Sequence, residues 1–348
     1  MSVFGNRRKK LLALAKTKQV VATKPSNIFY LADFWGGGAI VVQPDRAILV
    51  TSALESHRAE EVGKEVEVVV VKRWADVPLA IGRITKKATV ITDDDSPFGK
   101  LRRFKRDEKT FLEARKVKDE VEIERIRRAS EGQDRIFEML EHEIKPGRTE
   151  WEIAAKVMEA ALSQKLTQSS SDSALSPVII ASGENGALPH SELTDRTVRD
   201  GDFVVADIFL RSDGYHSDET RTFAVGSISA EMKSNYEAVF ESQAAGVREA
   251  RSGARCESVD GASRRELRER GVEKFLNHSI GHGVGIDIHE LPSISKGNKT
   301  RLETNDIVTV EPGVYLSGEY GIRIEDTIRI GAQSEPLTHY TKELVTVG

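Results

Sequence analysis

Over residues 1–105 the chain alternates short apolar runs with stretches of helical period, the pattern of an α/β domain. The runs at 19–22, 39–43, 47–51, 66–71 and 89–92 read as strands, and stretches such as 53–62 between them read as helices. A basic cluster follows, Lys100, Arg102, Arg103, Lys105 and Arg106, which reads as a solvated hinge face. From 117 to 144 the apolar residues Ile123, Ile126, Ala129, Ile136 and Leu140 recur at helical spacing, so this segment is predicted as one long amphipathic helix. Pro146-Gly147 stops it. Thr149 with Glu152 three residues on is a capping box that opens the next helix. These signals divide the chain into an α/β domain at 1–110 and a larger domain at 111–348.

The larger domain contains an internal repeat. Asp202-Phe203-Val204-Val205-Ala206-Asp207 is an apolar strand framed by two acids, and Asp306-Ile307-Val308-Thr309-Val310-Glu311 has the same shape with the acids at the same offset. Each strand leads to a glycine-containing turn, read as Asp213-Gly214-Tyr215 and Glu319-Tyr320-Gly321. Each return limb carries another acid, in Ser217-Asp218-Glu219-Thr220 and Ile324-Glu325-Asp326-Thr327. Two hairpins, each offering one carboxylate per limb, imply a duplicated half-domain with a pseudo-two-fold axis and a site between the halves.

Composition adds limits. The apolar fraction of 39% and charged fraction of 30% fit a globular protein, and 348 residues favour two domains. A net charge of −4 lacks the basic footprint of a nucleic-acid binder. The one cysteine, Cys256, permits no disulfide within the chain. The basic start Asn6-Arg7-Arg8-Lys9-Lys10 precedes an apolar run too short for a signal peptide, and no segment approaches the roughly 18 apolar residues of a membrane helix. A cytoplasmic location with no membrane partner is the expectation.

Four carboxylates facing one site would repel one another, and burial would force their pKa values upward. Divalent cations remove that cost, and carboxylate plus imidazole donors without cysteine suit Mn, Co, Fe or Zn. The segment from His278 to Glu290 supplies the histidines: it holds three of the eight in the chain, in a glycine-rich frame. The zinc-protease pattern of two histidines flanking a glutamate on one helix is absent, since Ser293 stands where the second histidine would.

The stretch His278-Ser279-Ile280-Gly281-His282-Gly283-Val284-Gly285-Ile286-Asp287-Ile288-His289-Glu290 resembles the signature of the proline peptidases, prolidase and aminopeptidase P. So do Val204-Val205-Ala206-Asp207, Tyr215-His216-Ser217-Asp218-Glu219-Thr220, Val310-Glu311-Pro312-Gly313 and Gly321-Ile322-Arg323-Ile324-Glu325-Asp326. Asn27-Ile28-Phe29-Tyr30-Leu31 resembles the family's N-terminal domain, and Val117-Lys118-Asp119-Glu120 its linking helix. The resemblance covers nearly the whole chain. It implies a smaller α/β domain and an α+β catalytic domain of the pita-bread, creatinase/aminopeptidase-like fold with its internal pseudo-two-fold.

By motif position the resemblance also implies two metal ions, Mn or Co foremost. Asp207 would hold one, His282 and Glu311 the other, and Asp218 and Glu325 would bridge them. Glu311 would act as general base toward a bridging hydroxide, with His289 and His190 on the substrate side. The implied reaction is hydrolysis of the bond between an N-terminal residue and proline, by a homodimer. His278 reads as packing behind the ligands, and His216 as structural or exposed. Asp287 and Glu290 read as solvent-facing or supporting groups, Arg323 as a partner for a site carboxylate or a structural ion pair, and Trp35 as core.

Three alternatives are weighed: a methionine aminopeptidase-like enzyme, a creatinase-like enzyme, and a non-catalytic pita-bread module that binds peptides or proteins. The chain departs from the family at Glu219, where an aliphatic residue is more usual. It departs again at Leu291-Pro292-Ser293, which lacks the arginine that prolidases place after His289-Glu290. The first should be harmless if strand alternation turns Glu219 away from Asp218. The second leaves substrates longer than a dipeptide open.

Overall fold

The structure, a computed structural model, describes residues 2–86, 88–99, 103–168 and 178–348, and divides into two compact units, Met1–Lys116 and Val117–Gly348. Among the described residues no helix is long and apolar enough to cross a membrane.

In the first unit the helices are α1 (Val3–Ala15), α2 (Pro25–Ala32), α3 (Ser56–Val62), α4 (Val77–Thr85) and α5 (Glu108–Lys116). They accompany a six-stranded mixed sheet of β1 (Val20–Ala22), β2 (Ala39–Val42), β3 (Ala47–Ser52), β4 (Glu67–Val71), β5 (Val90–Thr92) and β6 (Phe104–Arg106), in the order β4-β3-β2-β1-β5-β6. The five apolar runs form the first five strands to within a residue or two. The sixth escapes hydrophobic reading because two of its three residues, Lys105 and Arg106, are exposed at the sheet edge. The basic cluster is thus an edge strand and its approach: Arg103 donates to Thr85 Oγ1 at 2.8 Å, and Arg106 pairs with Glu108 at 2.6 Å. Charge on an edge strand discourages pairing with other chains. Lys100 and Arg102 lie outside the described residues. Trp35 is half-buried, its ring edge-on to Phe29 at 5.5 Å.

The second unit opens on α6 (Glu120–Glu143). The helix starts later than its apolar period suggests because Asp119 caps it, accepting from Val121 and Glu122 N–H while Glu122 reaches back to the Asp119 N–H. Residue 117 is held extended by a bridge to Asp306, and Lys118 N–H by Asn305 O. Next come α7 (Glu150–Ser163), with the expected Thr149–Glu152 capping box, then β7 (Val178–Ser182), β8 (Phe203–Ile208), β9 (Arg211–Ser212), β10 (Tyr215–His216) and β11 (Glu219–Val225). The chain continues through α8 (Ala230–Glu249), α9 (Cys256–Glu269), β12 (Gly281–Gly283), β13 (Glu290–Ile294), β14 (Ile307–Val310), β15 (Gly313–Leu316), β16 (Tyr320–Arg323), β17 (Asp326–Arg329), β18 (Glu335–Pro336) and β19 (Thr346–Val347).

The duplication is visible bond by bond. Gly147 N–H donates to Val198 O and Gly253 N–H to Leu302 O, with both glycines at positive φ, 89° and 87°, where a side chain would be strained. Gly201 N–H meets Val225 O as Asn305 N–H meets Ile330 O. The first acids of the repeat, Asp202 and Asp306, close turns by accepting from the N–H groups of Arg199 and Glu303. In each half a helix pair, α6–α7 or α8–α9, accompanies a sheet, β19-β11-β8-β7 or β13-β12-β14-β17-β18, and each half has its own apolar core.

The second hairpin differs from the expected one. Its turn is at Ser317-Gly318-Glu319, with Gly318 at φ 78°, and Gly321 lies inside β16. Gly321 is needed there for a different reason: a Cβ would stand 1.8 Å from the Gly186 carbonyl oxygen.

Candidate metal centre

Strand geometry delivers the acids. Asp207 sits near the end of β8, Asp218 just before β11, His282 at the middle of β12, Glu311 just after β14, and Glu325 between β16 and β17. The His282 Nε2 lies 3.6 Å from Asp218 Oδ2 and 3.5 Å from Glu311 Oε1. One ligand atom each from Asp218, His282 and Glu325 falls within 4.8 Å of the others. Asp207 lies close enough to Asp218 that its charge raises the Asp218 carboxyl.

Two threonines that the sequence reading did not single out lock the halves together. Thr220 Oγ1 donates to Glu325 Oε2 at 2.6 Å, and Thr327 Oγ1 donates to the Asp218 carbonyl at 2.8 Å while accepting from the Asp218 N–H at 3.1 Å. Each stands two residues after an acid of one half and bonds the acid of the other. That shared spacing, Asp218-x-Thr220 and Glu325-x-Thr327, is the signal that could have found them. Thr309 Oγ1 accepts from the His282 N–H at 3.1 Å.

Burial raises the carboxyls of Asp218 and Glu325 well above the usual range, and neighbouring acids raise them further: Asp207 and Glu311 at Asp218, and Asp218, Glu311 and Asp207 at Glu325. Glu311 is pushed up to about 8, again chiefly by burial. Burial, with His289 adding, drives His282 down to about 3, so its imidazole is neutral and able to ligate. Asp207 Oδ1 and Glu325 Oε1 are buried without a hydrogen-bond partner. Packed acids with orphaned oxygens beside a neutral imidazole fit divalent cations, which supply the missing partner and the missing charge together.

Arg323 bonds to Asp207 Oδ2, to Tyr315 Oη at 2.8 Å and to Pro189 O at 3.2 Å, so it is a partner of a site carboxylate. His278 reaches Tyr315 Oη at 2.9 Å, behind that contact, and burial lowers its pKa to about 4. His289 is solvent-accessible, its ring 4.4 Å from that of His282. His190 is exposed, close enough that its charge would lower both His289 and His278.

Other side chains stand apart from the cluster. His216 is buried, not exposed: its N–H and Nδ1 both meet Gly285 O, at 2.8 and 3.2 Å. Glu290 is also buried rather than solvent-facing, paired with Lys118 at 3.1 Å and accepting the Asp287 N–H. Glu219 is fully buried beside Arg221 at 2.9 Å, away from the acids that surround Asp218.

Residues 124–332 match the model of metallopeptidase family M24, and residues 7–129 that of the creatinase/prolidase N-terminal domain. The chain belongs to metallopeptidase family M24. It is an enzyme with the M24 two-domain build, an α/β N-terminal domain and a pita-bread catalytic domain, and the family implies divalent metal ions. Among M24 relatives, the Xaa-Pro dipeptidase of Pyrococcus furiosus is 32% identical over 336 residues, covering 94% of this chain and 95% of its own. Solved structures of the Xaa-Pro dipeptidase from Bacillus anthracis (28% identity, TM-score 0.89, 99% and 100% of the two chains) and of the X-Pro aminopeptidase from Thermotoga maritima (30%, TM-score 0.87, 99% and 99%) superimpose on nearly the whole chain.

Proposed function

We propose that this M24 enzyme hydrolyses the peptide bond between an N-terminal residue and proline, using two divalent cations, Mn or Co foremost. The observation that carries the reading is the convergence of carboxylates from both half-domains on the neutral imidazole of His282. Asp207, Asp218, His282, Glu311 and Glu325 would hold the cations, with the Glu325 carboxylate and the Asp218 backbone each fixed by a threonine of the opposite half. When bound, the cations supply Lewis acidity at the scissile carbonyl and make water nucleophilic near neutral pH.

The protein's own groups do the rest. Glu311 takes the proton of the attacking water at a carboxylate oxygen. His289 and His190, on the open side, orient the peptide and donate to the oxygen that becomes negative. Burial, then His190, lowers the pKa of His289, so this imidazole is neutral at neutral pH, a donor at one nitrogen and an acceptor at the other. Arg323 holds Asp207 in orientation. Relatives named as Xaa-Pro dipeptidase and as X-Pro aminopeptidase support the proline reading and leave both chain lengths as outcomes of the test.

The experiment is a cleavage panel of Ala-Pro, Ala-Pro-Ala and Ala-Ala-Ala on chelator-stripped protein reloaded with Mn or Co. Cleavage of the two proline peptides alone, and only after reloading, is expected. Equal cleavage of Ala-Ala-Ala, or activity without metal, refutes the reading. The working form is further proposed as a cytoplasmic homodimer, checked by light scattering in solution.

A further inference from the structure

We propose that Glu150 is a positioning residue for His190, its carboxylate closing the loop that carries this histidine to the site; this rests on the substrate-side role proposed for His190. Glu150 is the first residue of α7, a place where acids ordinarily face water, yet it is fully buried. Its oxygens accept from Ser182 N–H and Oγ (both 2.8 Å), Asn185 Nδ2 (3.0 and 3.2 Å), Thr194 N–H (3.0 Å) and Thr194 Oγ1 (2.7 Å). Those donors come from both feet of one loop, which leaves β7 at Ser182 and returns at Thr194. Between the feet the loop carries Leu188, Pro189 and His190 outward, all without the pairing of a strand. Its far side is held at the site itself, by Gly186 against the backbone of Gly321 and by Arg323 donating to Pro189 O. One carboxylate therefore sets where the loop begins and ends, and the arginine on Asp207 sets where its tip lies.

The duplicated half supplies an internal comparison. Glu150 N–H donates to Arg196 O as Cys256 N–H donates to Thr300 O at the matching place in the second half. The backbone is the same, but Cys256 is buried in the apolar core of its half. Helix-terminus geometry alone does not call for an acid there. The carboxylate occurs in the half whose strand gives way to the His190 loop; the loop after β12 in the other half, which carries His289, is braced instead by the Lys118–Glu290 pair.

The test measures kcat and KM for Ala-Pro, metal content and thermal melting for Glu150→Gln, His190→Ala and the double variant. Glu150→Gln keeps the shape but turns an amide N–H₂ toward donors. A displaced loop predicts a loss in kcat/KM of about tenfold to a hundredfold, the scale of an ångström-sized misplacement, with metal content unchanged. Because both changes act through one imidazole, the double variant should be no worse than His190→Ala. Losses that multiply, or a Glu150→Gln loss that follows metal content or melting, overturn the positioning role. A silent His190→Ala overturns the role of His190 itself and this inference with it. If Glu150→Gln does not fold, Thr194→Val, which removes one hydroxyl from the same carboxylate, enters the same cycle under the same criteria.

Discussion

At the residue scale, each site side chain has a task that one substitution can isolate. Asp218→Ala and Glu325→Ala should each abolish turnover and lower metal occupancy, measured by elemental analysis, because each removes a carboxylate that lies within 4.8 Å of the other ligand atoms of the cluster. Full activity in either would end the two-cation reading. His289→Ala should keep its metal and lose kcat by about 10²–10⁴-fold, the usual contribution of a positioned acid–base group. Loss of metal instead would make His289 a ligand. His278 gives a pH prediction. Burial, with Arg323 and His190 adding, places its folded pKa at about 4, below its ordinary value of 6.5. The unfolded chain therefore takes up the proton first as pH falls. The stabilisation is complete above pH 6.5 and drains away between 6.5 and about 4, on the order of 1–3 kcal/mol. Denaturant melts from pH 7.5 to 5 should fall less steeply in His278→Gln, and identical slopes would refute it.

At the element scale, the hairpins work because neighbouring strands are pinned at a few contacts. Gly321 in β16 is one, since any Cβ would collide with the Gly186 carbonyl. Gly321→Ala should cost about 1–3 kcal/mol, the range of an overpacked contact, and lower activity with it, because the same contact seats the His190 loop. Unchanged melting and kinetics would show that β16 yields freely. The loop between β12 and β13 has a buried brace, the Lys118–Glu290 pair, with side chains 1% and 2% exposed. Lys118→Met strands a carboxylate and should destabilise by about 3–5 kcal/mol, while Lys118→Met with Glu290→Leu should recover much of that loss. Guanidinium titrations of the two proteins decide it.

At the scale of the whole molecule, the centre belongs to neither half of the second unit. Its acids come from limbs far apart in sequence, so cations bound there would tie β8 and β11 to β14 and β17. Cation loading should raise the thermal midpoint in a concentration-dependent way, and chelation should reverse it, as linkage requires for a ligand that binds only the folded state. A midpoint indifferent to Mn and Co across a titration would place the cations elsewhere.

The five N-terminal strands and the two acid-framed strands were legible in the sequence, because their apolar runs can be buried only one way. So were the Thr149–Glu152 cap of α7 and the paired acids on matching limbs, because a duplicated segment repeats its spacing whatever the surroundings. The turn that Gly321 does not make, and the edge strand hidden in a basic cluster, were illegible: a glycine needed for close backbone approach looks the same as one needed for a turn, and a charged edge strand buries too little to show a period. Which side chains hold which acid came from the folded arrangement, including the choice of Asp207 as the partner of Arg323. Thr220, Thr327 and Arg323 act across gaps of a hundred residues or so. Hydrogen-bond partners at that separation are set by how the two halves pack: the repeated acid-x-Thr spacing is local, but which acid each threonine meets is not.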